Sequence, residues 1–167
     1  MPYVPSLVKS DLFRGLDADE VEVFRPAFDK INFKAGESIM REGDAGHALL
    51  ILVEGKISIS KSLTLIDGDD GQNHDKTFIT LDSSYKPFFG EMALLLPASL
   101  RTAHVTAVTN SQIVKITREN FDSICKTYPH LGYKVMTNIA TKLAANLQRE
   151  NQNVLKLTTA FSLLLEE

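Results

Sequence analysis

The period of the apolar positions changes twice along the chain. From Ser6 to about Lys30, Leu7, Leu12, Phe13, Leu16, Val21, Phe24 and Phe28 recur at helix-like spacing. Asp17, followed by Ala18, Asp19 and Glu20, has the form of a capping box, with its acceptor three residues ahead of the glutamate. Pro26 predicts a kink or boundary close by, because proline lacks the amide that a continuing helix needs.

From Ile31 to about Ile116 the pattern becomes that of short strands separated by turn residues. Ile31–Phe33, Ser38–Arg41, Ala48–Glu54, Lys56–Ser60, Phe78–Leu81, His104–Val108 and Gln112–Ile116 read as strands. Gly36, Gly43 and Gly55 fall in the turns between them, and Asp67 to Asn73 reads as a long polar hairpin loop. Regularly spaced short strands with glycine-rich turns imply an antiparallel sandwich or barrel.

The third block returns to helical periodicity. Thr117 opens a short helix through about Lys126, and Pro129 starts a long one. Along the long helix Met136, Ala140, Leu143, Leu147, Glu150, Val154, Leu157, Phe161 and Leu164 follow spacings of four and three, a heptad seam interrupted only by Glu150. The seam is longer than one small domain can cover. It therefore predicts pairing with a second copy through residues 136–164, with Glu150 as a polar seam residue that sets register. The simpler alternative is one amphipathic helix packed on its own sandwich.

Composition narrows the class. A chain of 167 residues with 44% apolar and 23% charged residues predicts one globular domain with an appended helix. A net charge of −3 argues against a broad nucleic-acid footprint. No apolar run approaches the roughly 20 residues of a membrane span. The first residues lack a basic stretch followed by an apolar one, so no signal peptide is visible and a cytoplasmic location is expected. Cys125 is the only cysteine, which excludes an internal disulfide and a cysteine-ligated iron–sulfur cluster. Its neighbours Phe121, Ile124 and Tyr128 predict an inert core thiol. His47, His74, His104 and His130 are isolated, so no metal site is expected.

The most informative stretch is Phe88 to Ala103, which sets one glycine, one carboxylate, one guanidinium and one hydroxyl in mostly apolar surroundings. Gly90 permits close approach of a ligand to the backbone. The segment after it can form a helical turn whose free amides face an anion. Arg101 offers a planar fork suited to phosphate, and Glu91 can accept hydrogen bonds from sugar hydroxyls. A sugar phosphate would use all four features. The plainer readings are a solvated arginine, a carboxylate capping the turn, and a threonine that is merely a strand residue.

Three fragments, in order and spacing, carry a resemblance: Leu12-Phe13-Arg14-Gly15-Leu16; Phe33 to Asp44 followed by Leu52-Val53-Glu54-Gly55; and Phe89 to Leu95 with Arg101-Thr102-Ala103. Together they resemble the cyclic nucleotide-binding domain family, which includes the sensor half of catabolite activator proteins, from about Leu12 to about Leu147. The resemblance implies an α+β fold: an antiparallel, jelly-roll-like β-roll flanked by N-terminal helices and a long C-terminal helix. It divides the chain into residues 1–128, with a phosphate-binding cassette at 88–103, and residues 129–167, a helix that acts as lid and dimerisation element.

By the same resemblance, Arg101 and Thr102 would hold the cyclic phosphate and the amides of Gly90 and Ala103 would add donors. Glu91 would take the ribose 2′-hydroxyl, and Met92 and Ala93 complete the cassette. Val53 and Leu95 are expected in the pocket wall and Asn146, more than Arg149, as a base contact, although a solvated helix position is the commoner role for such an asparagine. The implied ligand is a cyclic nucleotide, cyclic AMP favoured and cyclic GMP the alternative, in a non-enzymatic regulatory module that needs no metal. Residues 83–87 depart from the family's usual glycine-containing turn, and Leu96–Leu100 is more apolar than is usual. The 167 residues hold no winged helix–turn–helix, channel segment or kinase motif, which leaves the output partner open. A dimerisation scaffold without ligand is the main alternative. A cupin-type enzyme would need clustered metal ligands that the isolated histidines do not supply.

Overall fold

The computed structural model describes residues 3–62 and 75–165. Two four-stranded antiparallel sheets face each other. In chain order the strands are β1 (Asp29–Phe33), β2 (Ser38–Met40), β3 (Ala48–Glu54), β4 (Lys56–Ser62), β5 (Asp75–Asp82), β6 (Phe88–Phe89), β7 (His104–Ala107) and β8 (Ser111–Thr117). One sheet runs β1-β8-β3-β6 and the other β2-β7-β4-β5, so the chain crosses repeatedly between layers and rolls rather than meanders. The expected antiparallel β-roll with flanking helices is the architecture observed. The polar loop expected at Asp67–Asn73 lies outside the described residues.

The sequence of β3 explains its place. Ala48 to Val53 are all buried, a continuous apolar run that suits a central strand covered on both faces. Alternate side chains enter two different cores. Leu49, Ile51 and Val53 join a cluster with the N-terminal segment and the closing helices, whereas Leu50 and Leu52 join Ile57, Phe89, Val105 and Ile113 inside the roll.

The N-terminal block is made of short pieces: 3-10 turns at Val4–Lys9, Asp11–Phe13 and Arg25–Ala27, and one helix, α1 (Ala18–Glu22). The capping box forms as the spacing predicts: the Glu20 amide donates to Asp17 Oδ1 at 2.8 Å and the Asp17 amide to Glu20 Oε2 at 3.0 Å. The block ends earlier than its periodicity suggests, because β1 already pairs with β8 from Asp29 onward. Phe13, Phe24, Phe28 and Phe121 pack ring to ring beneath it.

A 3-10 turn at Ser83–Tyr85 and three further α-helices complete the described elements. α2 (Met92–Leu95) is a single turn between β6 and β7. α3 (Arg118–Thr127) is capped by the Thr117 hydroxyl. Cys125, on its partly covered face, packs on the helix-side core, and burial pushes its thiol pKa up, so it is not poised as a nucleophile. α4 (Pro129–Leu165) runs for 37 residues, about 55 Å at 1.5 Å per residue. Only its stretch from Pro129 to Leu143 packs on the body: Leu131, Val135 and Ile139 are fully buried and Leu143 is partly so. Polar ties fix the same stretch. Lys134 Nζ lies 2.8 Å from Glu20 Oε1, and Asn138 Nδ2 donates to the carbonyls of Leu12 and Arg14 at 3.0 and 2.9 Å. Among the described residues no helix is long and apolar enough to cross a membrane.

Candidate functional site

Two adjoining cavities open where the interior of the roll meets α4. The smaller, about 50 Å³, is bounded by Met40, Gly90–Ala93 and Ser99–Thr102. The larger, about 370 Å³, runs from Phe88–Glu91 and Thr102–Ala103 past Ile59, Leu81 and Val105 to Lys142, Asn146 and Arg149 on α4. They share Met40, Gly90, Glu91 and Thr102.

Arg101 is held from the backbone. Its Nη2 donates to the Ala48 carbonyl at 2.9 Å and its Nη1 to the Gly90 carbonyl at 3.3 Å. Gly90 has φ +71°, and a β-carbon there would collide with Nη1 of Arg101, so both the turn and the guanidinium require glycine. Gly46 forms a second bare surface: a β-carbon on it would lie 3.2 Å from the Arg101 Cζ. The main chain around Arg101 is clamped to the loop between β2 and β3. Its amide donates to the Asp44 carbonyl at 2.8 Å, its carbonyl accepts from the Gly43 amide at 2.9 Å, and the Gly46 amide donates to the Ser99 carbonyl at 2.8 Å. Burial pulls the guanidinium pKa below its ordinary value and nearby Glu91 opposes that shift, so the group stays a cation in a partly dry setting.

Glu91 is the residue ahead of α2, and it is 8% exposed. Its carboxylate makes no capping bond to that turn, so the capping role is not the one it plays. Instead Lys142 reaches it from α4, with Nζ 3.6 Å from Oε2. The same Nζ donates to the Phe88 carbonyl and lies 3.8 Å from the centre of the Phe88 ring. Burial pulls the Lys142 pKa down and Glu91 is the main influence pushing it back.

Of the residues singled out in the sequence, Gly90, Glu91, Met92, Ala93, Arg101, Thr102 and Ala103 come together around the cavities. Asn146 reaches the larger one from α4, where its Oδ1 accepts from Arg149 Nη2 at 3.0 Å. Val53 and Leu95 do not line either cavity; both belong to the helix-side core. The strand alternation explains Val53: it shares a face with Leu49 and Ile51, whereas the roll-facing positions are Leu50 and Leu52. Leu95 packs instead against the core beneath the closing helices. Leu100, in the unusually apolar segment, lines the smaller cavity and is largely exposed, so the apolar stretch does shape the mouth.

Sequence reasoning missed Lys142, Phe88 and Gly46. Lys142 was readable, since it lies one helical turn before Asn146 and so shares its face. The bed at Gly46 was not, because it depends on how the β2–β3 loop folds back. Among the described residues no group of three or more His, Cys, Asp or Glu could hold a metal ion.

The roll of two antiparallel sheets carries a glycine-led helical turn, a backbone-anchored arginine and a long helix beside the larger cavity. The model of the cyclic nucleotide-binding domain matches residues 30–128, and the chain belongs to that family. It is 31% identical over 123 residues to a cAMP-dependent protein kinase regulatory subunit of Dictyostelium discoideum, covering 74% of this chain and 36% of that protein. The crystal structure of the Thermus thermophilus catabolite activator protein superposes with a TM-score of 0.76 at 27% identity, covering 89% of this chain and 63% of that one. The regulatory domain of the Toxoplasma gondii kinase, solved with cAMP, superposes with a TM-score of 0.60 at 26% identity over 74% of this chain and 43% of that one. The chain thus spans less than two thirds of each of these relatives.

Proposed function

We propose that this chain is a non-enzymatic regulatory module that binds a cyclic nucleotide, cyclic AMP in preference to cyclic GMP, and reports occupancy through α4. The observation that carries this reading is the Arg101 guanidinium, seated on Gly46 and Gly90 beside Thr102 and Glu91 at the smaller cavity, which adjoins the larger one that α4 lines. In this reading Arg101 and Thr102 take the cyclic phosphate, with the amides of Gly90 and Ala103 beside it. Glu91 takes the ribose 2′-hydroxyl, and Asn146 meets the base. The preference for cyclic AMP rests on the relatives, a cAMP-dependent protein kinase regulatory subunit and a kinase regulatory domain solved with cAMP.

The division of labour follows: residues up to 128 form the receiver, and α4 is lid and dimerisation element through the 136–164 seam. The module works as a cytoplasmic homodimer that uses no metal and acts on an output protein, without contacting nucleic acid or a membrane. Calorimetric titration of cyclic AMP and cyclic GMP into wild type and Arg101→Ala tests the binding. Loss of a charge-assisted phosphate contact is worth about 1.5–3 kcal/mol, so the variant should bind at least about tenfold more weakly. A wild type that binds neither nucleotide overturns the reading and leaves helix pairing as the function.

A further inference from the structure

The buried carboxylate at Glu91 and the half-buried ammonium at Lys142 come from parts of the chain 51 residues apart in sequence. They meet at the boundary of the cavity, not in the core of either element. A carboxylate this deeply buried is costly without a counter-charge. Lys142 supplies one at 3.6 Å, while its own position is set twice over, by the Phe88 carbonyl and by the face of the Phe88 ring. An ammonium fixed in this way acts on one oxygen, Oε2, and orients the carboxylate plane. The other oxygen is then directed by a group that belongs to α4 rather than to the cassette.

We propose that Lys142 is a positioning residue for sugar recognition: it orients Glu91 toward the ribose, so that discrimination for the 2′-hydroxyl depends on α4 being seated. The inference rests on the nucleotide-binding reading and adds to it the residue that links sugar readout to the closing helix. Three features support it beyond proximity. Lys142 itself lines the larger cavity together with Glu91. The next residue on its face, Asn146, lines it as well. Glu91, finally, makes no cap bond to α2 that could orient it in Lys142's place.

The test compares cyclic AMP with 2′-deoxy cyclic AMP by calorimetry on wild type, Lys142→Met, Lys142→Gln and Glu91→Gln, and on the double variant of Glu91→Gln with Lys142→Met. Methionine keeps the apolar stem of the lysine, and glutamine keeps a donor for the Phe88 carbonyl; both remove the charge. Wild type should prefer the ribose compound, and Lys142→Met and Lys142→Gln should each cut that preference by about tenfold, equivalent to about 1.4 kcal/mol. The double variant should discriminate no less than Glu91→Gln alone, because the lysine acts through the carboxylate. If both lysine variants weaken the two nucleotides equally and keep the wild-type ratio, Lys142 is only a tie for the helix and the inference falls. Should Lys142→Met fail to fold, the ratio in Lys142→Gln decides on its own. Wild-type protein that binds neither compound overturns the nucleotide reading and this inference together, whereas unaltered discrimination in the variants overturns this inference alone.

Discussion

The two ends of α4 are built from the same kinds of residue and meet opposite environments. Near its start Val135 and Ile139 are 0% exposed, pressed into the core that the N-terminal turns and β3 share. Farther along, Leu157 and Phe161 are 72% and 62% exposed, and Leu147, Val154 and Leu164 are similarly open. The packed end uses positions four apart, Leu131, Val135, Ile139 and Leu143, as a helix does when it lies on one surface. The open end uses the four-three spacing of a seam. The two sets share only Leu143: Met136 and Ala140, the first seam positions, are exposed even where the helix lies on the body, so one face of α4 is satisfied within the chain and the seam face is not. Contiguous apolar surface of that kind marks an interaction face. The body of the roll decides which residues belong to each.

Four substitutions probe this contrast. Ile139→Ala should be the most damaging, lowering stability by about 2–5 kcal/mol through lost burial and a cavity; urea unfolding should show a lower midpoint with an unchanged slope. Phe161→Glu should leave the unfolding midpoint of dilute, monomeric protein within about 0.5 kcal/mol of wild type and abolish self-association in sedimentation. Association that survives this change would mean that the open end is covered by something other than its own copy. Glu150→Leu should act in the opposite sense and more weakly, tightening association by completing the apolar seam.

The smallest effect concerns the tie at the packed end. The Lys134 ammonium and the Asp17 amide hold the Glu20 carboxyl pKa below its ordinary value. A depressed carboxylate stabilises the fold above its unfolded pKa, and that contribution disappears as pH falls through the folded value. Wild type should therefore exceed Glu20→Gln in stability at neutral pH by a small margin that vanishes in acid, since glutamine preserves the capping box and removes only the charge.

Much of this architecture is legible in the sequence because local and global preferences agree. The capping box at Asp17, the strand pattern from Ile31 to Ile116 and the proline at the start of α4 each predict what forms. The cassette is legible for the same reason: glycine, carboxylate and guanidinium fall within one short segment, and close neighbours in sequence stay close in space. What sequence does not carry is orientation. Val53 reads as a wall residue until the pleat assigns it to the other face of β3, and Leu95 until the single turn of α2 is seated. Lys142 could be placed on the face of Asn146 from spacing, but its ion pair with Glu91, 51 residues away, depends on where α4 crosses that residue. Leu157 and Phe161, conversely, stand out as part of the seam from their spacing alone, and that seam begins at Met136 and Ala140 on a face the body leaves exposed.

Arg101 carries one further consequence. An arginine side chain free in solvent has about 2 kcal/mol of rotamer entropy to surrender on capturing an anion. Here the carbonyls of Ala48 and Gly90 and the bare backbone of Gly46 have already selected one rotamer. On the proposed reading, in which Arg101 takes the phosphate, the cost of ordering the guanidinium is met during folding rather than at capture. Enlarging Gly46 would therefore disturb affinity without touching any charge, by releasing a side chain that the fold keeps poised.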